Sequence, residues 1–141
     1  MEQAVFESVE YTDGCQACGG RAQWWGVQVL MNGRLRWDTE CSCPACGSGM
    51  AVCGGELPAG LRSRMLAEQG PARLRVGPSA RNAVVMRVLR AELGVGLGEV
   101  RAVLSGVLAG THSGTLPEME LLARRLRASG IDAVAERVRP S

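Results

Sequence analysis

Six cysteines are the side chains of this 141-residue chain whose type and spacing could do chemistry. Four of them fall into two copies of one pattern, Cys15-Gln16-Ala17-Cys18-Gly19 and Cys43-Pro44-Ala45-Cys46-Gly47. A thiolate is a soft anionic ligand, and two Cys-x-x-Cys turns can bring four thiolates into the tetrahedron that Zn²⁺ takes up. Glycine after the second cysteine lets backbone N–H groups point at the sulfurs. Two such pairs, with 24 residues between Cys18 and Cys43, make a much more specific signal than either pair alone. The expected metal ligands are therefore Cys15, Cys18, Cys43 and Cys46, with zinc as cofactor. Cys41 and Cys53 are spares, because Cys41-Ser42-Cys43 is too tight for both thiols to take knuckle positions.

A four-cysteine zinc site is closed and leaves no position for water, so its expected role is structural rather than catalytic. No nucleophile-and-base constellation accompanies it. His112 is the one histidine, in a Thr-His-Ser-Gly loop read as solvent-exposed. The Gly-x-Gly runs lack the Lys and following Ser/Thr that a phosphate loop needs. The chain is expected not to be an enzyme. Six cysteines could also make three disulfides in a secreted protein. However, Met1–Glu10 is acidic and lacks a charged-then-apolar leader. No apolar run is long enough to cross a membrane. The expected compartment is the cytoplasm, where thiols stay reduced and paired cysteines bind metal. A thioredoxin-like redox role would need a βαβ context that the sequence around these pairs does not offer.

The element that must hold the two knuckles together is a β-hairpin. Arg21–Met31 and Arg34–Glu40 flank Asn32-Gly33, the strongest two-residue turn signal because both central positions need positive φ. That turn sets Met31 opposite Arg34, Leu30 opposite Leu35, Val29 opposite Arg36 and Gln28 opposite Trp37. Trp24, Leu30, Leu35 and Trp37 then share one face. Trp25, Val27, Val29 and Met31 share the other, with Arg34, Arg36, Asp38 and Glu40. One face is expected to pack on the rest of the chain, and an exposed Trp25 is a candidate for partner contact. Ala4, Phe6, Val9 and Tyr11 form an apolar edge that could add a short strand. Gly47–Glu56 is Gly-rich and reads as the end of the ribbon.

The predicted organisation is a zinc ribbon over 1–56, a helical linker over 57–71 and an α+β domain over 72–141. Pro58 suits the start of a helix whose face is Leu61, Met65 and Leu66, serving as a linker or as a cover for the hairpin. Arg73–Val76 is a short strand. Ser79 is a candidate cap for a helix over Asn82–Leu93, with Val85, Val88, Leu89 and Leu93 at helical spacing. Glu99–Leu104 is a second helix closed by Gly106, and Val107–Ala109 a short strand. Thr115–Glu118 is a capping-box pattern opening a helix over 116–129, and Ile131–Val138 is the closing strand. Strand, helix, helix, strand, helix, strand predicts helices on one face of a three-stranded, mostly antiparallel sheet.

This order resembles the C-terminal domain of the bacterial ribosomal stalk protein over about residues 72–138. The resemblance is carried by Asn82-Ala-Val-Val-Met-Arg-Val-Leu-Arg90, by Gly94-Val-Gly-Leu-Gly-Glu-Val-Arg101 and by the Leu121–Gly130 run. Asn82 and Gly98 stand where that family usually carries lysines, and a zinc ribbon stands in place of its dimerisation helices and hinge. The resemblance implies a docking module whose contact residues are Met86, Arg87, Arg90, Leu97 and Arg101.

Charge fits a protein partner. All 16 basic residues are Arg, and with abundant Ala, Gly and Val this looks like high-GC, bacterial codon usage. Residues 1–57 hold three Arg and seven acids, and residues 58–141 hold thirteen Arg and seven acids. The first half is thus acidic by four charges and the second basic by six. A mildly basic second half accommodates an acidic partner without requiring nucleic acid. The expected function is a non-catalytic protein-interaction module, of the adaptor, translation-factor-docking or toxin-neutralising immunity type. The alternative is an RNA- or ribosome-binding accessory protein.

Overall fold

A computed structural model describes residues 3–138, and its architecture is α+β. The order is β1 (Val5–Gly14), β2 (Arg21–Met31), β3 (Arg34–Ser42), β4 (Gly49–Gly55), α1 (Ala59–Gln69), β5 (Ala72–Val76), α2 (Asn82–Leu93), α3 (Leu97–Ala109), β6 (Ser113–Gly114), α4 (Leu116–Ala128) and β7 (Ala133–Arg137). The chain divides into two compact units, Met1–Glu68 and Gln69–Ser141.

In the first unit four strands form an antiparallel meander in the order β1-β2-β3-β4. Asn32 and Gly33 take positive φ of 54° and 75°. The β2–β3 register is the one the turn dictates, with Met31 opposite Arg34 and Gln28 opposite Trp37. The apolar edge of the N-terminus becomes a full ten-residue strand paired along its length with β2. The Gly-rich segment after the second knuckle is also a strand, not a spacer: β4 pairs with β3, with a register shift between Trp37 and Thr39. Three of its seven residues are glycine, so intrinsic propensity argued against it, and pairing with a preformed neighbour won.

Two clusters fill the inner face. Near the knuckles Cys15, Ala22, Trp24, Cys41 and Cys43 pack together, with Tyr11 stacked on Trp24 at 6.1 Å between ring centroids. Further along, Val9 and Trp37 are covered by Met65 of α1, flanked by Leu57 and Leu61. Of the two roles open to the Pro58 helix, the structure shows it covering the sheet. One close approach shapes this face. The Trp37 ring lies over Gly26, where a Cβ would overlap the indole.

In the second unit β5 is the centre of a three-stranded antiparallel sheet, β6-β5-β7. Ala72 and Leu74 of β5 and Ala133 of β7 face a core built by Val85, Val88 and Leu89 of α2, Val100, Leu104 and Val107 of α3, and Met119, Leu122 and Leu126 of α4. The second helix runs past Gly106 to Ala109, and Gly110 closes it at φ 73°. It begins at Leu97 with Gly96 as its N-cap. Val107–Ala109 is thus helix rather than strand, and the short strand is Ser113–Gly114 instead. Val100, Leu104 and Val107 keep helical spacing across Gly106, and burying Val107 outweighs the roughly 1 kcal/mol that a mid-helix glycine costs. Ser79 is not a cap: Arg81 is the N-cap of α2, with no side-chain bond. At α4 the capping box forms as expected, with Thr115 Oγ1 accepting from Glu118 N and Glu118 Oε1 accepting from Thr115 N.

Two glycine substitutions test this packing with opposite signs. Gly26→Ala pushes a methyl into Trp37 and should cost about 1–3 kcal/mol, the usual overpacking penalty. Gly106→Ala meets only ordinary contacts, Thr111 at 3.5 Å and His112 at 3.7 Å, and should gain up to about 1 kcal/mol of helix propensity. Urea melts of both variants against the parent measure the two effects.

Candidate metal centre

Both knuckles are turns at the same end of the meander. One joins β1 to β2 and the other joins β3 to β4. They share one backbone pattern. Cys15 N donates to Gly20 O (2.7 Å) and Gly19 N to Cys15 O (2.8 Å). In parallel, Cys43 N donates to Ser48 O (2.9 Å) and Gly47 N to Cys43 O (2.8 Å). Gly19 and Gly47 both sit at φ 73°, a left-handed conformation that a residue with a Cβ adopts only at a cost. The repeated Cys-x-x-Cys-Gly signal is thus a repeated turn.

The consequence is a four-sulfur cluster. The Sγ atoms of Cys15, Cys18, Cys43 and Cys46 lie within 4.8 Å of one another and could hold a metal ion. Cys15 Sγ is 3.7 Å from Cys46 Sγ, and Cys18 Sγ is 3.7 Å from Cys43 Sγ. Each close pair therefore crosses from one knuckle to the other. Cys15 and Cys43 are buried, whereas Cys18 and Cys46 are exposed. Gly20 N donates to Cys18 Sγ at 3.3 Å. Cys41 lies buried on the inner face against Trp24, opposite Met50, and Cys53 is exposed on β4. Neither belongs to the cluster.

Electrostatics separate the two exposed thiols, Cys18 and Cys46. Hydrogen bonds from the Ser48 side chain and then from the Ser48 backbone hold the Cys46 thiol down to about 6. At Cys18 the Gly20 N–H pulls downward, but the crowding Cys43 and Cys46 sulfurs outweigh it and push the thiol up to about 11. At neutral pH the cluster without a cation is thus partly protonated. A bound cation must displace those protons, so its affinity falls as pH falls.

The remaining predicted site residues lie elsewhere. Met86, Arg87, Arg90 and Leu97 come together on one groove of about 660 Å³ between α2 and the start of α3, with Ala83, Ala91, Gly94, Val95 and Val100 completing its wall. The sequence reading did not include Ala83, Ala91 and Val95 among the contact residues. Arg101 is exposed but does not line it. Trp25 belongs to the first unit, 39% exposed, with its Nε1 donating to Glu10 Oε1 at 3.1 Å. His112 is half-buried rather than exposed, and burial pushes its imidazole below the ordinary value.

Compared with protein-family models, curated proteins and solved structures, the chain matches none. No helix among the described residues is long and apolar enough to cross a membrane.

Ligand substitution separates the four cysteines from the two spares. Cys18→Ser and Cys43→Ser should abolish stoichiometric metal binding, whereas Cys41→Ser and Cys53→Ser should retain it. Cobalt(II) titration read by the sulfur-to-metal charge-transfer absorption measures this directly. The same titration at falling pH should show weakening affinity, as protons compete for the sulfurs.

Proposed function

We propose that this protein is a non-catalytic interaction module in which a structural zinc ion supports the first unit and the second unit docks an acidic protein partner. Zinc fits the sulfur spacing. Zn–S bonds of about 2.3 Å in a tetrahedron place sulfurs about 3.8 Å apart, against the 3.7 Å separations of the two cross-knuckle pairs. When bound, zinc supplies a cross-link and a balancing positive charge. The chain supplies four thiolates, two glycine turns and the Gly20 and Ser48 donors that steady the exposed sulfurs. Four protein ligands fill the tetrahedron, which supports a structural role over a catalytic one.

The docking reading rests on the groove. It is lined by Met86, Val95 and the 56%-exposed Leu97 together with the exposed Arg87 and Arg90. Among the described residues neither Arg makes an ion pair, whereas Arg125 of α4 is engaged with Glu92 at 2.8 Å. A largely apolar groove that carries two free guanidinium groups suits a partner segment that presents apolar side chains beside carboxylates. The resemblance to the stalk-protein domain points to the same helix. A translation factor or a neutralised toxin would both meet this description. The RNA-binding alternative has less support, because the groove is apolar and the first unit is acidic.

Arg87 and Arg90 are three apart on α2 and project together, while Val85, Val88 and Leu89 face the core. Arg87→Glu with Arg90→Glu should weaken capture of partner proteins from the native host by tenfold or more, roughly 1.4 kcal/mol. Fold stability should stay within about 0.5 kcal/mol of the parent, checked by circular dichroism. Equal capture by both proteins would remove the groove from the reading. Capture lost on nuclease treatment would instead favour RNA.

A further inference from the structure

The outer face of the four-stranded sheet carries an apolar stripe. On it Phe6 is 64% exposed, Met31 40% and Trp25 39%, with half-buried Val27 and Val29 between them. Register orders these residues into rows across the strands. Met31 stands beside Arg34; Phe6, Val29 and Arg36 share the next row; Ser8, Val27 and Asp38 the third; Glu10, Trp25 and Glu40 the fourth. The charges sort by row. In the middle rows Arg36 and Asp38 pair with each other at 3.1 Å, which leaves Arg34 at one end and Glu40 at the other. The face thus has an apolar middle and opposite charges at its two ends.

We propose that this face binds the same face of a second copy of the chain, forming a two-fold dimer. A two-fold axis lying in the interface, perpendicular to the strands and crossing between the Arg36 and Asp38 rows, turns the pattern end over end. Arg34 then faces Glu40 of the second copy, and the Arg36–Asp38 ion pair of each copy (3.1 Å) meets its own inverted image. Met31 faces Trp25, and Val29 faces Val27. The basic end meets the acidic one, and the β2 stripe meets itself as an isologous interface requires, while Phe6 faces Ser8 at the β1 edge. A partner of uniform charge would be repelled at one end of the face, whereas an inverted copy is attracted at both. Aligned sheets stack about 10 Å apart at a crossing near 30°, an offset that Arg and Glu side chains can span. The pair Trp25 Nε1 to Glu10 Oε1 (3.1 Å) holds the indole over the apolar stripe.

The face is small. Rows about 6.8 Å apart and strands about 4.8 Å apart give on the order of 400 Å² per copy in projection. Two copies together bury on the order of 800 Å², below a standard specific interface, so the dimer is a weak one.

The charge pattern supplies its own test. Arg34 and Glu40 lie about 20 Å apart along β3 in one copy, so they cannot pair within a chain. The zinc-loaded full chain is followed by sedimentation, with reductant, from roughly 5 to 500 µM, the range appropriate to an interface of this size. The parent should dimerise. Arg34→Glu alone and Glu40→Arg alone each place like charges together in the dimer and should raise its Kd at least tenfold. An equimolar mixture of the two variants should dimerise again, because each copy then meets its opposite. Such a heterodimer also proves both variants folded. A parent that stays monomeric, single variants that dimerise as the parent does, or a mixture that stays monomeric would each overturn the proposal.

Discussion

Four sulfurs held within 4.8 Å repel one another as thiolates, and they add little to a core as thiols. The first unit nevertheless bends two separate hairpins to bring them together. Each knuckle closes one hairpin, β1–β2 or β3–β4, and the Asn32-Gly33 turn joins the pair at the opposite end. A cation held among the sulfurs would tie the two free ends into one frame. The rest of the unit is built against these knuckles. The Trp24–Tyr11 stack and the buried Cys41 lie against the knuckles, and α1 covers the sheet only where Trp37 and Val9 present a floor for Met65. A sheet of this size, with one helix over it, has little apolar area to stand on by itself.

The second unit is stabilised differently. Its helices enclose a continuous aliphatic core with no large aromatic residue, drawn from Leu, Val, Ala, Met and Ile. Cooperation there comes from side chains repeating on helical spacing, and its polar ties lie at the edges. The capping box at Thr115, the Arg125–Glu92 bridge and the Arg127 donation to the Ala133 carbonyl at 2.9 Å orient α4 against α2 and the sheet. Because the core is complete beneath α2, the outward side of that helix is left to carry charge. Packing thus explains why Arg87 and Arg90 stand without an ion-pair partner among the described residues.

Much of this was legible in the sequence, and the gaps have physical causes. The Asn-Gly turn needs positive φ at both positions, so local chemistry alone fixed the β2–β3 register and the division of faces. The repeated Cys-x-x-Cys-Gly pattern named the four clustered sulfurs because each glycine follows from a left-handed turn. β4 was not legible. Gly49, Gly54 and Gly55 disfavour a strand, and only pairing with β3 makes one. The extent of α3 was obscured by Gly106, whose cost is smaller than the gain from burying Val107. Trp37 lying over Gly26 depends on how the Trp37 side chain settles across the neighbouring strand, which no local pattern announces. The groove was half visible. Its charged and large apolar residues stand out, whereas the small side chains that line it look like ordinary helix.

The two sheets also differ in when they can close. Every pairing in the meander joins strands adjacent in the sequence, so each step closes a short loop and can proceed as the chain leaves the ribosome. The second sheet cannot do this. β5 pairs with β7 through Ala72 and Arg137, so its central strand must wait until α2, α3 and α4 have all been made. Contacts of long sequence separation form slowly, and domains generally mature in the order of synthesis. The meander half is therefore the early partner in biogenesis. The aliphatic half is the late one, and its unpaired β5 is exposed longest to wrong pairing.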